Sequence, residues 1–480
     1  MFPSGLGTWI LTPILFNSLR DTLRAAGFVL TLLELVLIHE AEFALSLQGS
    51  LLILTLQGKF TLKGGEIYMS KTLFVGIDVH SEKNSCGFSD DKGNRLSKIS
   101  YVFNNLPGAE ELERKIDLTM KEGAFDKLMI ATEASSFLDL HLVDYLADSK
   151  SLSKYLPLIY QFNPKLTAGL KKVYADIDKT DDIDPFVIAD RLRFGHLPEP
   201  YEDSKTYFPL KRLTRYRYHL VNTIAREKNY FLTHLFLKFS SFSSVKPFSN
   251  TFGKTSLAVI TDFFSVDEIV TMPIEKLVDF IVQQGKNRFK DPQQIADVVN
   301  KAARESYRLR PSLANSINLI LSSTLQNIKA LSVSLKEVDE AIAKEIQAFP
   351  NTLQSVKGLG PIYAAGIFVE LGNIQRFPSQ AKVAKFAGLT WRKRKSGKYE
   401  SEITRMTKSG NCYLRYYLTE AANSLRVHNE EYKAYYQKKY SEVTKHRHKR
   451  AVALTARKLV RLVFALLTKR HLWQPVNSSL

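Results

Sequence analysis

Cysteine is almost missing from this 480-residue chain. Cys86 and Cys412 are the only two, which excludes a disulfide scaffold and any all-cysteine metal site and suits a reducing compartment. Long apolar runs are missing too. The run 25–38 is broken by Glu34 and is shorter than the roughly 20 residues that span a bilayer. No basic stretch followed by an apolar segment and a small-residue cleavage site follows Met1, so no secretory signal is read. There is no Walker lysine loop, Rossmann glycine fingerprint or His-x-x-x-His pair, and Gly358-x-Gly360 lacks the third glycine and the βαβ context of a nucleotide site. What is present is 45% hydrophobic and 24% charged residues, enough apolar material for two or three globular domains and too much for wholesale disorder.

Acidic residues are the scarcer charge, 48 against 67 Lys and Arg, for a formal net charge of +19. The excess is local: residues 1–68 hold 4 basic and 5 acidic side chains, residues 69–390 hold 42 and 37, and residues 391–470 hold 21 and 6. In that last segment the cations are interleaved with Tyr413, Tyr416, Tyr417, Tyr432, Tyr435, Tyr436 and Tyr440. Cations for phosphates and flat rings for bases make a polyanion-binding surface; a solvated helical face is the competing reading. His446 and His448 fall within the basic run 445–450 and add charge there.

Residues 1–68 are Leu-rich with no Lys before Lys59. Lys63-Gly64-Gly65-Glu66-Ile67-Tyr68-Met69 can be encoded by a purine-rich run just ahead of an ATG, in the manner of a ribosome-binding site. Translation is therefore expected to start at Met69, with the upstream segment a conceptual extension.

From Thr72 the chemistry-bearing pattern begins. An apolar strand, 73–77, ends at Asp78; strands 85–89 and about 98–103 complete a meander around the polar turn 90–94. A helix over 109–121, a strand over 127–132 ending at Glu133, a helix over 137–147 and a strand over 156–161 follow. The order β-β-β-α-β-α-β predicts a mixed sheet with packed helices. Asp78 and Glu133 sit where apolar strands run out, at an open sheet edge where an ionised carboxylate can survive. Beyond Asn163-Pro164, Asp181 and Asp184 are three apart ahead of the helical pattern 186–193, a spacing that puts both on one helix face. Convergent carboxylates repel unless cations sit between them, and hard divalent ions are the usual solution in phosphodiester chemistry. Alternatively, Asp181, Asp182 and Asp184 simply favour the positive end of a helix.

Gly76-Ile77-Asp78-Val79-His80, Ala131-Thr132-Glu133-Ala134, Asn163-Pro164 and Lys179-Thr180-Asp181 with Asp184 resemble the motif blocks of DEDD-type transposases of the insertion sequence 110 family. The resemblance implies an N-terminal RuvC-like domain of the RNase H fold in which Asp78, Glu133, Asp181 and Asp184 bind Mg²⁺. Pro185 departs from the small residue usual in the family, and is tolerated in a first helical turn.

Further on, a helix is predicted over 208–239, residues 240–312 carry no readable motif, and Leu321, Ile328, Leu335 and Ile342 recur every seven with Leu331 and Val338 on the complementary seam. Three heptads argue for a coiled coil, either between protomers or against the chain's own domain. Val356-Lys357-Gly358-Leu359-Gly360-Pro361 opens a helix as in helix-hairpin-helix elements, whose backbone N–H groups meet DNA phosphates; a plain turn between helices reads the same. Cys412, without a partner, is expected to serve packing. Phe386-Ala387-Gly388-Leu389-Thr390, the basic stretch Arg392-Lys393-Arg394-Lys395, Ser396-Gly397, and Lys408-Ser409-Gly410-Asn411 before a Leu- and Arg-rich helix are similar to the C-terminal domain of the same transposases. That resemblance implies that Ser396 is the nucleophile that joins covalently to DNA. Lys357, Gly358, Gly360, Arg392, Lys393, Arg394, Lys395, Arg405, Lys408 and Arg415 are the candidate nucleic-acid contacts.

The expected architecture is an α/β RNase H-like (RuvC-like) domain over 69–205, a helical and coiled-coil segment over 206–347, a mainly α serine transposase domain over 348–470 and a tail over 471–480. The resemblance further implies a DNA recombinase that forms a 5′-phosphoserine link, works as a dimer or tetramer with its sites combined across protomers, and is guided by a noncoding bridge RNA, in the cytoplasm at the nucleoid and without a membrane. A RuvC-type structure-specific nuclease would need the acids but not Ser396. A non-enzymatic architectural DNA-binding protein would need neither.

Overall fold

The computed structural model describes residues 70–133, 137–171, 183–195, 197–198, 200–201, 207–391, 395–396, 399–400 and 405–474. Ahead of them it describes three short strands, β1 (Ile53–Leu54), β2 (Phe60–Leu62) and β3 (Gly65–Ile67), which pair antiparallel as a sheet of their own. The rest of 1–69, on which the expected start at Met69 bears, lies outside the described residues. The chain divides into two compact units, Met1–Asp203 and Ser204–Leu480.

In the first unit a mixed five-stranded sheet has the order β6-β5-β4-β7-β8. Its members are β4 (Thr72–Asp78), β5 (Lys83–Ser89), β6 (Ser100–Phe103), β7 (Lys127–Glu133) and β8 (Leu158–Phe162). The first three form the antiparallel meander, while β7 runs parallel to β4 and β8 parallel to β7. The parallel steps need crossovers, supplied by α1 (Leu106–Glu122) and α2 (Leu140–Ala147). Asn105 caps α1 by accepting from the Gly108 amide at 3.0 Å. Central β4 is covered on both faces, which is why its sequence is continuously apolar and does not alternate. Leu73, Val75 and Ile77 join Leu112, Ile116 and Met120 of α1 in one core, and Phe74 joins Ile188 and Ala189 in another. Burying each of the larger of these side chains stabilises by about 1.5–3 kcal/mol.

The predicted element order is found, with displaced ends. The expected helix over 137–147 begins only at Leu140, and the strand expected from residue 156 begins at Leu158, because Leu156 is left-handed (φ 46°) and cannot continue a ladder. A helix α3 (Pro164–Lys171) follows β8, and α4 (Asp184–Arg193) packs against β4. Ile183 is the N-cap of α4 and Pro185 lies in its first turn. The expectation that Asp181 and Asp184 share a helix face falls on Asp181, which lies outside the described residues. Proline favours the first turn of a helix, and its fixed φ sets the start there.

In the second unit, α5 (Phe208–Lys238) runs antiparallel to α11 (Pro311–Glu345): Arg217 meets Asp339 (Nε–Oδ1 2.5 Å) near one end and Lys238 meets Asn318 (Nζ–Oδ1 2.6 Å) near the other. The heptad seam packs on α5 of the same chain, the intramolecular alternative: Leu321 and Ile328 join Phe231 and Leu235, and Ile342 joins Leu210. Residues 240–312, unreadable in sequence, hold α6 (Phe242–Val245), α7 (Lys254–Thr261), α8 (Val266–Thr271), α9 (Ile274–Gly285) and α10 (Pro292–Arg304). Most are too short to show an amphipathic period, and together with the adjoining ends of α5 and α11 they close over Phe239, Val259, Ile281 and Val299.

Lys238 is buried in that cap. Its ammonium donates to the carbonyls of Ile260 (2.7 Å) and Phe263 (2.6 Å) and to Asn318, and burial pushes it down to about 8. The folded value lies below the unfolded one, so between about pH 8 and 10.5 the unfolded chain binds more protons and stability rises with pH across that window. Lys238→Met removes this titration and leaves three acceptors unpaired. We expect it to cost about 2–4 kcal/mol at pH 7.5, with the gap to the wild type widening by pH 10 in urea unfolding; a gap that stays constant with pH would refute the assignment.

The C-terminal part of this unit packs α12 (Pro361–Leu371), α13 (Gln380–Ala387), α14 (Cys412–His428), α15 (Glu430–Ser441) and α16 (Arg447–Lys469) around Ile367, Leu414, Leu418 and Leu459. Two of the tyrosines read as a base-stacking surface belong to this core. Tyr417 and Tyr432 are fully buried. The Tyr417 ring lies over Gly366 and its hydroxyl donates to the Thr214 carbonyl at 2.6 Å. Helical spacing turned them inward, while Tyr440 stays exposed beside Arg447.

Candidate functional site

Asp78 and Glu133 end β4 and β7, which are neighbours in parallel register, Ile77 opposite Thr132. Both therefore emerge at one sheet edge. Side chains alternate along a strand, so Asp78 shares the face of Gly76, and Glu133 that of Ala131, the face on which α4 lies. A Cβ built on Gly76 would stand 1.9 Å from the Pro185 carbonyl oxygen and 2.6 Å from the Ala189 amide. The absence of a side chain at 76 is what lets the first turn of α4, which Asp184 opens, come down on β4 two residues before Asp78. Glu133 Oε2 accepts from Thr167 Oγ1 at 2.6 Å, and Asp78 Oδ2 lies 3.1 Å from His80 Nε2. Thr167 is buried on α3, the helix that Asn163-Pro164 opens, which gives that motif a physical task. Behind the edge, buried Asp139 accepts from Thr132 (2.8 Å) and Gln161 (2.9 Å), tying β7 to β8; burial raises its pKa against these two hydrogen bonds.

Whether these residues suit a hard cation can be judged from their donors. Asp78, Glu133 and Asp184 offer only oxygens, and Ser85, opposite Asp78 on β5, has a buried hydroxyl with no hydrogen-bond partner. An all-oxygen set with an orphaned hydroxyl beside it fits a divalent ion. Among the described residues no three of His, Cys, Asp and Glu are gathered tightly enough to be a ligand cage on their own, and Asp181 lies outside the described residues. Gly76→Ala tests the close approach. We expect a stability loss of about 1–3 kcal/mol, because the first turn of α4 must retreat from the added Cβ. Denaturant unfolding of the variant and the wild type checks this.

The C-terminal candidates gather around one loop. Thr407 N donates to Thr390 O (2.8 Å), Lys408 N to Gly388 O (3.3 Å) and Asn411 N to Phe386 O (2.7 Å), while Trp391 bridges Met406. These contacts close the 391–406 segment at its base. Gly410 has φ +126° and a Cβ there would meet Phe386 O at 2.2 Å, so the clasp requires glycine. Beyond the clasp, β9 (Lys395–Ser396) pairs with β10 (Tyr399–Glu400), Ser396 opposite Tyr399. Arg392, Lys393 and Arg394 lie outside the described residues. Arg405 and Lys408 are exposed, whereas Arg415 is half-buried and donates to the Ala387 carbonyl at 3.0 Å, inside the clasp. Lys357 and Gly360 are exposed at the start of α12; Gly358 (φ +95°) packs on His428, its carbonyl accepting from Ser424 at 2.8 Å.

Sequence reading missed what anchors this clasp. Glu370, 2% exposed, takes Arg215 in a two-pronged pair (2.7 and 3.0 Å) and also accepts from Asn411 Nδ2 at 2.7 Å. Asn411 caps α14 through its other amide atom, accepting from Leu414 N at 2.9 Å. A lone Glu in an apolar helix was the only available signal. Beside the clasp a groove of about 480 Å³ is lined by Tyr218, Met406, Cys412, Glu420 and Lys449 among others. Cys412, expected to serve packing, is exposed here, and burial raises the pKa of Glu420 against the pull of Arg217.

Comparison with known proteins matches these regions. Residues 75–239 match a family described as transposase, DEDD type of IS110, and residues 351–437 match the Transposase IS116/IS110/IS902 family. The chain belongs to the IS110 family of transposases. Two curated relatives agree with this. The insertion element IS116 uncharacterized 44.8 kDa protein of Streptomyces clavuligerus is 24% identical over 308 residues, 63% of this chain and 74% of that protein. The transposase for insertion sequence element IS1111A of Coxiella burnetii (strain RSA 493 / Nine Mile phase I) is 26% identical over 175 residues, 36% of this chain and 47% of that protein. Membership of the IS110 family makes DNA the partner of this transposase. No helix among its described residues is long and apolar enough to cross a membrane.

Proposed function

We propose that this transposase moves its element by cutting and rejoining DNA through a covalent Ser396–DNA intermediate. The Ser396 oxygen attacks a phosphorus, its bond to that phosphorus forms as the bond to the 3′ oxygen breaks, and the serine proton is lost as the departing 3′ oxygen takes one up. The DNA 5′ end is left on Ser396. Asp78, Glu133, Asp181 and Asp184 would hold Mg²⁺, which when bound supplies charge neutralisation at phosphodiester oxygens. Thr167 orients Glu133 for that task, and the Gly76 contact brings in Asp184. Lys395, Arg405 and Lys408 position the DNA backbone by charge. A homo-oligomer, a bridge RNA that supplies sequence choice by base pairing, and an RNase H-like reading of the first unit belong to the same proposal; the 3-2-1-4-5 strand order with an antiparallel first trio supports the last.

The observation that carries this reading is the convergence of Asp78, Glu133 and the start of α4 on one sheet edge. The test incubates the full chain with element-end DNA, RNA transcribed from the element's flank, and Mg²⁺. A protein–DNA adduct that survives denaturant and maps by mass spectrometry to Ser396 is expected. Joined DNA with no adduct at Ser396 would overturn the mechanism.

A further inference from the structure

The cap built from residues 239–312 contains a cavity of about 570 Å³ lined by Phe248, Lys254, Ser256, Lys286, Arg288 and Phe289 among others. Among the described residues three cations and no carboxylate line it, so its field favours an anion. The start of α7 opens into it: Gly253 is the N-cap, no side chain caps the helix, and Leu257 N already bonds Gly253 O at 2.8 Å. The N–H groups of the first turn lie at the wall, where the helix dipole adds to the cations. An independent feature points to a ligand. Ser256, in this first turn, is 1% exposed and its hydroxyl has no hydrogen-bond partner. Helical side chains lean back toward the N-terminus, and Ser256 is among the residues that line the cavity. Burying a hydroxyl unpaired is costly, and an anion's oxygen in the cavity would satisfy it. Phe248 and Phe289, 6.3 Å apart, add a half-buried aromatic wall.

We propose that this cavity binds the phosphate of a nucleotide, the amides of the first α7 turn, Ser256, Lys254 and Arg288 holding the phosphate and the two phenylalanines accepting the base or sugar. The shared chemistry is a phosphate ester, either of a free mononucleotide or of a single strand's backbone or end. Gly253-Lys254-Thr255 is not preceded by a Walker glycine loop, and no carboxylate is at hand for a magnesium chelate, which restricts the ligand to simple phosphate esters. The site is independent of the strand-exchange reading above.

Calorimetric titration of the full chain with AMP, adenosine and inorganic phosphate tests it. One AMP per chain is expected, tighter than inorganic phosphate, with adenosine silent. Lys254→Ala and Arg288→Ala, both at exposed positions, should each weaken AMP by about 10-fold or more, the weight of a charge-assisted hydrogen bond. Ser256→Ala should weaken it by several-fold while leaving the melting temperature unlowered, since no protein hydrogen bond is lost; a merely structural serine would show the reverse. Prior saturation with a single-stranded RNA 10-mer abolishes the AMP heat if a strand is the natural source and leaves it intact if a free nucleotide is. No AMP binding, adenosine binding as well as AMP, or unchanged AMP affinity in all three variants would overturn the proposal.

Discussion

Ser396→Ala is expected to abolish strand exchange, by at least about 10⁴-fold, the scale of removing a nucleophile, and to eliminate the denaturant-resistant DNA adduct. Asp78→Ala should also abolish exchange, because one carboxylate fewer leaves the phosphodiester's developing charge uncompensated. DNA binding in a filter or shift assay should persist in both, since the cations of 391–470 are untouched. The pair of variants separates three activities. A metal-dependent nuclease would retain cleavage in Ser396→Ala and lose it in Asp78→Ala. An architectural DNA-binding protein would show no difference between either variant and the wild type. Only loss in both, together with loss of the adduct in Ser396→Ala, fits covalent serine chemistry assisted by the acidic edge.

Glu370→Ala is expected to cost about 3–5 kcal/mol of stability in the second unit, the scale of breaking a buried ion pair from one side. The substitution strands the Arg215 guanidinium, three-quarters buried, and removes an acceptor from Asn411. Arg215→Met should cost a similar amount by stranding the carboxylate. The double variant Arg215→Met with Glu370→Met should cost less than either single change, because no uncompensated charge remains and two apolar side chains fill the volume. Denaturant unfolding of the three variants measures the coupling. Strictly additive losses would show that the pair is not what holds Asn411 and the clasp below Ser396. Because Asn411 also caps α14, weakened closure of 391–406 should appear as faster proteolysis within that loop in the single variants.

Much of the first unit was legible because its signals are local. β4, β7 and β8 are short apolar runs that break at Asp78, at Glu133 and just before Asn163-Pro164, and a strand that ends in a carboxylate reports both its own boundary and the open edge beyond it. The seam 321–342 was legible as a period, but its partner was not: one heptad face suits a second protomer or α5 equally well, and the antiparallel pairing of Arg217 with Asp339 only emerges in three dimensions. Tyr417 and Tyr432 were misread because composition counts rings without saying which way a helix turns them.

By itself, the sequence determined that this protein has an acid-bearing α/β unit followed by a basic helical one, since strand alternation, apolar run lengths and charge density are properties of neighbouring residues. The tertiary structure alone decided which distant groups meet. Gly76 admits α4 to the sheet, Thr167 reaches Glu133, Glu370 gathers Arg215 and Asn411, and Ser256 is left unpaired in a cationic cavity. Each of these depends on packing between segments 34 to 155 residues apart, or on the shape of a cavity, and such long-range closure leaves no periodic trace along the chain.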